Sequence, residues 1–297
     1  GAKNLSTSSK NTVSRSNKPK PTVTVTPITA DDMEGIDIMP PFRDWPLISA
    51  IVVTYHRADR LPRALDSILA QTHRDMEVWC VHDGPPDNDT IAVYETYAAK
   101  FEEAGIDFYP TNTEDHTGYY CQARNFATEN CRGSYIANLD DDNEWTPTAL
   151  ADLLAVMDEG EEWPDVVYGR RTYVLDPGAP TEFHGTPLQE GNSPFVPWDS
   201  IAELRLAGNK PMYNFIDSSD FLIAKGAIYR LGIAAGHAWD ESRRRFGDFW
   251  FMSDGFLAGQ WRFKALDKVV NIYHLCADSV SLTRAPQEIP SEKILNG

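Results

Sequence analysis

Three consecutive aspartates, Asp140, Asp141 and Asp142, are the residues of this sequence whose type and spacing point most directly to chemistry. They follow a mostly apolar run at 135–139 that has the composition of a buried strand. Adjacent carboxylates repel one another, and their burial is costly unless a cation or ordered hydrogen-bond donors offset the charge. Carboxylate oxygens suit Mg²⁺ or Mn²⁺, which usually take further ligands from water and phosphates. The alternative is an acidic turn that caps the next helix, and the motif alone supports both interpretations.

The elements that must position these aspartates alternate between strand and helix. Continuous apolar runs are typical of buried strands, whereas apolar residues at spacings of three and four are typical of one helical face. In chain order, the patterns predict strand 47–55, helix 61–69, strand 76–81, helix 90–104, strand 106–109, helix 119–130 and the strand that ends at the aspartates. This alternation predicts an α/β fold with a mostly parallel, Rossmann-like central sheet and helices on both faces.

Polar loops follow three of the predicted strands. They are 54–57 (TYHR), 82–84 (HDG) and the aspartates themselves. The carboxyl ends of parallel strands lie at one edge of a sheet, and open α/β sheets bind their ligands at that edge. We therefore expect the three loops to form one site.

The second half of the chain has a less regular pattern. A strand at 165–175 precedes a proline- and glycine-rich stretch, 176–198, of the kind that forms a functional lid or stays disordered. Further on, the patterns predict strand 221–224, a helix near 226–231, a helix at 248–257 and two final strands at 261–266 and 269–275. The third of these elements places Asp248 at or near a helix N-terminus.

The composition is that of a globular chain with one or two domains, since 42% of its 297 residues are hydrophobic and 24% are charged. No apolar run is long enough for a transmembrane segment and the N-terminus lacks the apolar core of a signal peptide, so we expect a cytoplasmic protein. The formal net charge is −17, yet residues 1–30 contain five basic residues and no acidic one. The remainder therefore carries about −22, which disfavours nucleic acid as a partner.

Five segments, taken in order, resemble the GT-A nucleotide-sugar glycosyltransferases, specifically the large inverting family 2. They are ISAIVVTYHRADRLPRALDSILAQTH, VWCVHDGPPDN, GYYCQARNFATENCRGSYIANLDDDNEW, YNFIDSSDFLIAKGAIYRLG and WDESRRRFGDFWF. The resemblance implies a GT-A domain at 46–282, with a nucleotide-binding half at 46–145 and a smaller, irregular acceptor half at 146–282. Residues 1–45 are then a flexible basic tail and strap, and 283–297 a C-terminal tail.

The activity that this resemblance implies is a metal-dependent, inverting transfer of a sugar from a nucleoside-diphosphate sugar to a hydroxyl acceptor. The implied cofactor is Mn²⁺ or Mg²⁺. The family's base-binding aspartate corresponds to Asp83, which favours UDP or dTDP as the nucleotide and also accommodates GDP. A processive synthase is disfavoured because no Q-x-x-R-W motif occurs. The sequence specifies neither the sugar nor the acceptor.

Individual roles carry over only where this sequence matches the family's motifs. The residues implied for the donor are Thr54, Tyr55, Arg57, Asp83, Gly84, Arg124, Asn125, Asp140 and Asp141. Asp142 matches the main metal ligand, with Asp140 as a second ligand. His274 is either a late metal ligand or a packed histidine.

The acceptor side is matched by three further residues. Asp248 corresponds to the catalytic base, and Trp239 and Asp240 lie in a segment expected near the acceptor. The family usually has glutamate before the base, whereas this chain has Gly247. By position alone, Asp248 could equally be an ordinary helix N-cap.

Two other functions fit parts of the pattern. A nucleotidyltransferase also binds a nucleotide and a metal on a similar sheet, but such enzymes typically have a glycine-rich loop after the first strand, where this chain has TYHRADR. A catalytically inert carbohydrate- or nucleotide-binding module on the same fold is the second alternative. The presence of Asp83, Asp142 and Asp248 argues against an inert module.

Overall fold

The computed structural model describes residues 48–158, 163–183, 186–187, 189–198, 216–242 and 247–276. The segments predicted as tails, 1–45 and 283–297, lie outside these residues, so the domain boundaries stay predictions. The strands are β1 Ile48–Thr54, β2 Met76–His82, β3 Asp107–Asn112, β4 Tyr135–Asp140, β5 Glu144–Trp145, β6 Val166–Leu175, β7 Glu182–Phe183, β8 Thr186–Pro187, β9 Gly191–Asn192, β10 Phe221–Ala224 and β11 Phe263–Leu275. The helices are α1 Leu61–Leu69, α2 Asn88–Glu103, α3 Tyr120–Asn130, α4 Ala149–Met157, α5 Lys225–Ala235 and α6 Gly247–Leu257.

Nine of the described strands form one sheet, in the order β3-β2-β1-β4-β10-β6-β11-β5, with β9 beside β6. Strand β1 pairs in parallel with both β2 and β4, and β2 pairs in parallel with β3. Strands β6 and β11 are also parallel, whereas β10 is antiparallel to both of its neighbours. The predicted α/β class and the mostly parallel sheet are therefore confirmed.

Helices cover both faces of this sheet, as the alternating pattern predicts. Along β1, Ala50 and Val52 pack on one side and Ile51 on the other, which is the two-residue period of a strand buried on both faces. Helices α1, α2 and α4 form the first layer, and α3, α5 and α6 form the second. None of the helices in the described ranges is long and apolar enough to cross a membrane.

The antiparallel strand β10 brings an additional segment to the carboxyl edge of the sheet. A 3-10 helix, Ser218–Asp220, immediately precedes β10 and so lies beside the end of β4. Below it, Nη2 of Arg171 lies 2.5 Å from Oδ2 of Asp220, and both side chains are buried. Nδ2 of Asn271 donates to the other carboxylate oxygen of Asp220 at 2.9 Å. This anchored turn is absent from the sequence-based prediction.

The C-terminal part of the sheet differs from the prediction. The two final strands are one strand, β11, because its pairing with β6 continues through register shifts between Ala265 and Val269 and again before Asn271. The polar pair Asp267 and Lys268, which suggests a turn in the sequence, lies exposed at this irregularity. The stretch 176–198 also contributes to the sheet, since β9 pairs with β6.

Candidate active site

The loop after β1 and the acidic loop after β4 meet at the carboxyl edge of the sheet. One nitrogen of Arg57, Nη1, donates to Oδ1 of Asp141 and to Oδ2 of Asp142, at 2.9 Å in each case. A second arginine, Arg63 in α1, donates from Nη2 to the backbone carbonyl of Asp142 at 2.6 Å. Arg57 and Arg63, six positions apart, therefore hold the acidic loop. Only Arg57 was predicted from the sequence.

Burial makes the ionised form of two of these aspartates unfavourable, although arginines contact the loop. Burial raises the pKa of Asp141. Burial and the negative charge of Asp141 together raise the pKa of Asp142 to about 7, although Arg57 opposes that shift. A raised pKa means that the ionised carboxylate is unfavourable in its folded surroundings. A bound divalent cation would lower the free energy of the ionised form.

The donor atoms of this loop fit a hard divalent cation in their chemistry. No group of three His, Cys, Asp or Glu side chains within the described ranges is arranged to hold a metal by itself. Mg²⁺ at nucleotide sites usually relies on one or two carboxylates and completes its shell with water and phosphate oxygens. Asp142 and Asp140 can supply two such carboxylates.

Asp140 is fixed from both sides of the acidic loop. Its Oδ1 accepts hydrogen bonds from Nη2 of Arg124 at 2.6 Å and from Oγ of Ser218 at 3.0 Å. Its backbone N–H donates to Oγ of Ser219 at 3.1 Å. The carboxylate is one-third exposed, at 33%, so it remains accessible at the edge of the sheet. Arg124 of α3 and two serines of the 3-10 turn thus fix the position of Asp140.

Arg124 is buried and Asn125 is partly exposed, and both side chains are bonded to protein groups. Arg124 is 2% exposed, and its guanidinium carbon lies 4.0 Å from the ring centre of Tyr120 and 4.6 Å from that of Trp239. The side-chain amide of Asn125 donates to the carbonyl of Trp239 at 2.9 Å and accepts from its N–H at 3.0 Å. The resemblance implies that both side chains contact the donor. In this structure, their polar groups contact other residues of the protein.

Asp83 organises the loop that follows β3. Its Oδ1 accepts from the backbone N–H of Thr117 at 3.0 Å, and its Oδ2 accepts from that of Gly118 at 2.9 Å. Nδ1 of His116 lies 3.0 Å from the same Oδ2. The carboxylate is only 3% exposed. The loop at 113–118 (TEDHTG) is not among the loops predicted for the site, although its polar residues directly after a core strand were an available signal.

The other residues expected around the nucleobase lie next to Asp83. The backbone carbonyl of Thr54 accepts from the N–H of Asp83 at 3.0 Å. The ring of Tyr55 stacks on that of His116 with centroids 3.7 Å apart. Gly84 has a φ of +89°, and a Cβ there would lie 2.9 Å from the backbone nitrogen of His116, so this position requires glycine. These residues form a half-exposed aromatic surface above a buried carboxylate.

His274 is packed between two carboxylates. Its Nδ1 lies 2.7 Å from Oδ1 of Asp176, and its Nε2 lies 2.7 Å from Oε1 of Glu144. Burial raises the pKa of Asp176, but hydrogen bonds from His274, Cys276 and Arg63 outweigh burial and lower it to about 2. Both ring nitrogens of His274 are thus engaged by protein groups, which favours the packed alternative over the metal ligand.

The acceptor-side residues are divided between surface and core. Asp248 lies in the first turn of α6 and is 8% exposed, and its N–H donates to Oη of Tyr120 at 3.3 Å. Trp239 is 1% exposed and stacks on Phe251 with centroids 3.9 Å apart, so its ring is a core residue in this structure. Asp240 is more accessible, at 18%, and its Oδ1 accepts from the N–H of Ser242 at 3.0 Å.

A mostly parallel sheet with an acidic loop at its carboxyl edge, beside a loop organised by a second buried aspartate, is the arrangement of a GT-A glycosyltransferase. Residues 49–230 match the family model described as Glycosyl transferase family 2. The chain belongs to this family.

Individual relatives are distant and longer. An uncharacterized glycosyltransferase of Rickettsia bellii is 29% identical over 126 residues, which cover 42% of this chain and 17% of that protein. An uncharacterized glycosyltransferase of Nostoc is 32% identical over 109 residues, which cover 37% of this chain and 32% of that protein. The chain therefore spans well under half of the length of the curated relatives it matches.

Solved structures support the GT-A fold. S. aureus TarS 1–349 in complex with UDP has a TM-score of 0.56 at 22% identity, covering 77% of this chain and 60% of that one. The mannosyltransferase PcManGT from Pyrobaculum calidifontis, in complex with GDP-Man and Mn²⁺, has a TM-score of 0.50 at 18% identity, covering 80% and 59%. At these identities, the likeness shows the fold alone.

Proposed function

We propose that this chain transfers a sugar from a nucleoside-diphosphate sugar to a hydroxyl acceptor, that the reaction depends on a divalent cation, and that it inverts the anomeric centre. The observation that carries the proposal is the buried acidic loop, in which the pKa of Asp142 is raised to about 7. Carboxylates whose ionised form is disfavoured by burial, at the ligand edge of an α/β sheet, are the setting in which a metal–diphosphate complex binds. UDP or dTDP is the favoured nucleotide, and GDP fits as well.

The solved neighbours are consistent with this donor class. TarS has been solved with UDP and with UDP-GlcNAc, and the mannosyltransferase with GDP-Man and Mn²⁺. In this chain, Asp142 and Asp140 would hold Mn²⁺ or Mg²⁺, which would act as a Lewis acid on the departing diphosphate. Arg57 now pairs with Asp141 and Asp142 through a single nitrogen, and it would supply positive charge beside the same diphosphate. The predicted cytoplasmic location stays a prediction.

The chemical step would use Asp248 as the general base. Its carboxylate takes the proton of the acceptor hydroxyl while the acceptor oxygen bonds to the anomeric carbon and the bond to the diphosphate breaks. Attack from the face opposite the diphosphate inverts the configuration. Asp248 suits this role because it is held in the first turn of α6 and its backbone is hydrogen-bonded to Tyr120.

Turnover of a panel of nucleotide sugars tests the proposed function. We expect the protein to release the nucleoside diphosphate from at least one UDP-, dTDP- or GDP-sugar, and to lose at least roughly tenfold in rate when EDTA removes the metal. Release of pyrophosphate from a nucleoside triphosphate and a sugar phosphate would indicate a nucleotidyltransferase instead. Absence of turnover together with metal-independent nucleotide binding in calorimetry would indicate an inert module.

The base preference tests the role of Asp83. We expect UDP to bind more tightly than ADP, and we expect Asp83→Asn to reduce that preference by roughly tenfold to a hundredfold, since a hydrogen bond to a charged group contributes about 1.5–3 kcal/mol. The measurement is calorimetric titration of both nucleotides with Mn²⁺ present. Thr113→Val is the control for loop structure: it removes the 2.7 Å hydrogen bond that the Gly84 N–H donates to Thr113 and the longer one, 3.5 Å, that Thr113 donates to Asp83, but it keeps the carboxylate itself. If both variants lose the preference for UDP over ADP to the same extent, the role of Asp83 is to hold the loop and not to contact the base.

A further inference from the structure

Tyr120, the first residue of α3, occupies the space beside the start of α6. A Cβ built at Gly247 would lie 2.8 Å from Oη of Tyr120 and 2.9 Å from Cε2 of the same ring. Real Cβ atoms do not approach heavy atoms this closely, so position 247 admits a side chain only if the Tyr120 ring moves. The departure from the family's usual glutamate therefore has a physical cause in this chain. The phenol of Tyr120 fills the space in which a side chain at 247 would begin.

The hydroxyl of the same tyrosine contacts the backbone of the proposed base. The N–H of Asp248 is one of the first N–H groups of α6, which have no partner within the helix. It donates to Oη of Tyr120 at 3.3 Å. Burial and the negative charge of Asp248 raise the pKa of Tyr120 well above its ordinary value, so the phenol keeps its proton at neutral pH. Tyr120 thus acts as a neutral cap on the helix that carries Asp248.

The ring of Tyr120 also links this helix to the donor side. The guanidinium of Arg124, one turn further along α3, lies 4.0 Å from the Tyr120 ring centre, which is a cation–π contact. Nη2 of Arg124 then donates to Oδ1 of Asp140 at 2.6 Å. Trp239 covers the guanidinium at 4.6 Å and meets the Tyr120 ring edge-on. One face of α3 therefore contacts the helix of the base and a carboxylate of the acidic loop.

We propose that Tyr120 is a positioning residue that sets Asp248 at a fixed place relative to Asp140, and that Gly247 is the gap that admits its ring. This inference rests on the proposed function, in which Asp248 faces the acceptor and Asp140 the donor. Displacement of a reacting group by about 1 Å can lower the rate roughly a hundredfold. A rigid link through the buried Arg124 would therefore protect the rate by keeping the donor side and the acceptor side in register. The role is one of geometry, because Tyr120 itself takes no proton.

Removal of the hydroxyl tests the link while leaving the stack intact. We expect Tyr120→Phe to lower kcat by roughly tenfold, because the loss of one hydrogen bond should displace the base by less than the 1 Å that costs roughly a hundredfold. UDP affinity and the KM for the donor should stay within about twofold of the wild type. Hydrogen exchange should be faster at the Asp248 amide, because its hydrogen-bond acceptor is gone. Tyr97→Phe is the matched control, since it removes a buried phenol that donates to the Pro62 carbonyl in the opposite helical layer. This control should keep the wild-type kcat.

A double-mutant cycle tests the gap at Gly247. We expect Gly247→Ala to lower kcat in the presence of Tyr120 and to have little further effect in a Tyr120→Ala background, because the clash needs both partners. Thermal melts of all variants separate misfolding from misplacement. Additive effects, or wild-type kcat and amide exchange in Tyr120→Phe, would overturn the inference. Wild-type turnover in Asp248→Asn would instead overturn the proposed base, which keeps the two failures distinguishable.

Discussion

Asp248→Asn is expected to lower turnover by roughly 10²–10⁴-fold, which is the range attributed to a positioned general base. Asparagine has the size of aspartate and retains most of its hydrogen bonding, but it cannot take a proton at neutral pH. Asp248 lies in the first turn of α6, on the acceptor side of the proposed site, so nucleotide affinity should change by less than about threefold. Initial rates at saturating donor, together with UDP titrations, measure the two effects separately.

The control for this variant is Asp254→Asn, two turns along the same helix. It makes the same chemical change at a carboxylate that is 17% exposed and lies 4.0 Å from His237. We expect it to keep turnover close to that of the wild type. The anomeric configuration of the product, read by NMR, is the second measurement. Near-normal turnover in Asp248→Asn, or retention of configuration, would require both the base assignment and the inverting mechanism to be abandoned.

The architecture of the donor side could be predicted because its signals are local. Continuous apolar runs marked β1, β2 and β4, and polar residues directly after each run marked the loops that carry Asp83 and Asp142. The shared direction of parallel strands then places those loops at one edge. Antiparallel β10 has the same type of apolar run, FLIA, so nothing in its own sequence reports its direction. The 3-10 turn that holds Asp140 was missed for that reason.

The roles of Arg124 and Trp239 could not be predicted from the sequence because they depend on long-range packing. The resemblance implies that Arg124 contacts the donor and that Trp239 lies on the acceptor side. In the structure, they lie against each other in the core beneath the second helical layer, at 2% and 1% exposure. The contact joins residues more than a hundred positions apart, and no periodicity in either segment reports it. The same holds for Tyr120 and Gly247, whose fit is visible only in three dimensions.

Asp142→Asn is expected to abolish metal-dependent nucleotide binding and, in metal-free buffer, to make the protein more stable. The pKa of Asp142 is raised from 3.8 to about 7, so the folded state favours the protonated acid. Stability from this group is complete below its unfolded pKa and is lost as pH rises towards 7. Above pH 7 the ionised carboxylate destabilises the wild type by roughly 4 kcal/mol, because each pKa unit of the shift corresponds to about 1.4 kcal/mol, whereas asparagine does not ionise and has no such penalty.

Thermal melts with EDTA or with saturating Mn²⁺ test both halves of this prediction. At pH 8 with EDTA, Asp142→Asn should melt above the wild type, and the difference should shrink as pH falls towards 4. Mn²⁺ with UDP should raise the Tm of the wild type by mass action and leave the variant unchanged, because only the wild type retains the ligand. Glu95→Gln, an exposed change in the middle of α2, controls for the loss of one negative charge. Equal stabilisation of both proteins by Mn²⁺ and UDP would show that Asp142 is not a metal ligand. If Asp142→Asn instead melts below the wild type at pH 8 with EDTA, the repulsion and burial of the carboxylates are already offset by Arg57. The raised pKa of Asp142 would then give no reason to expect a metal.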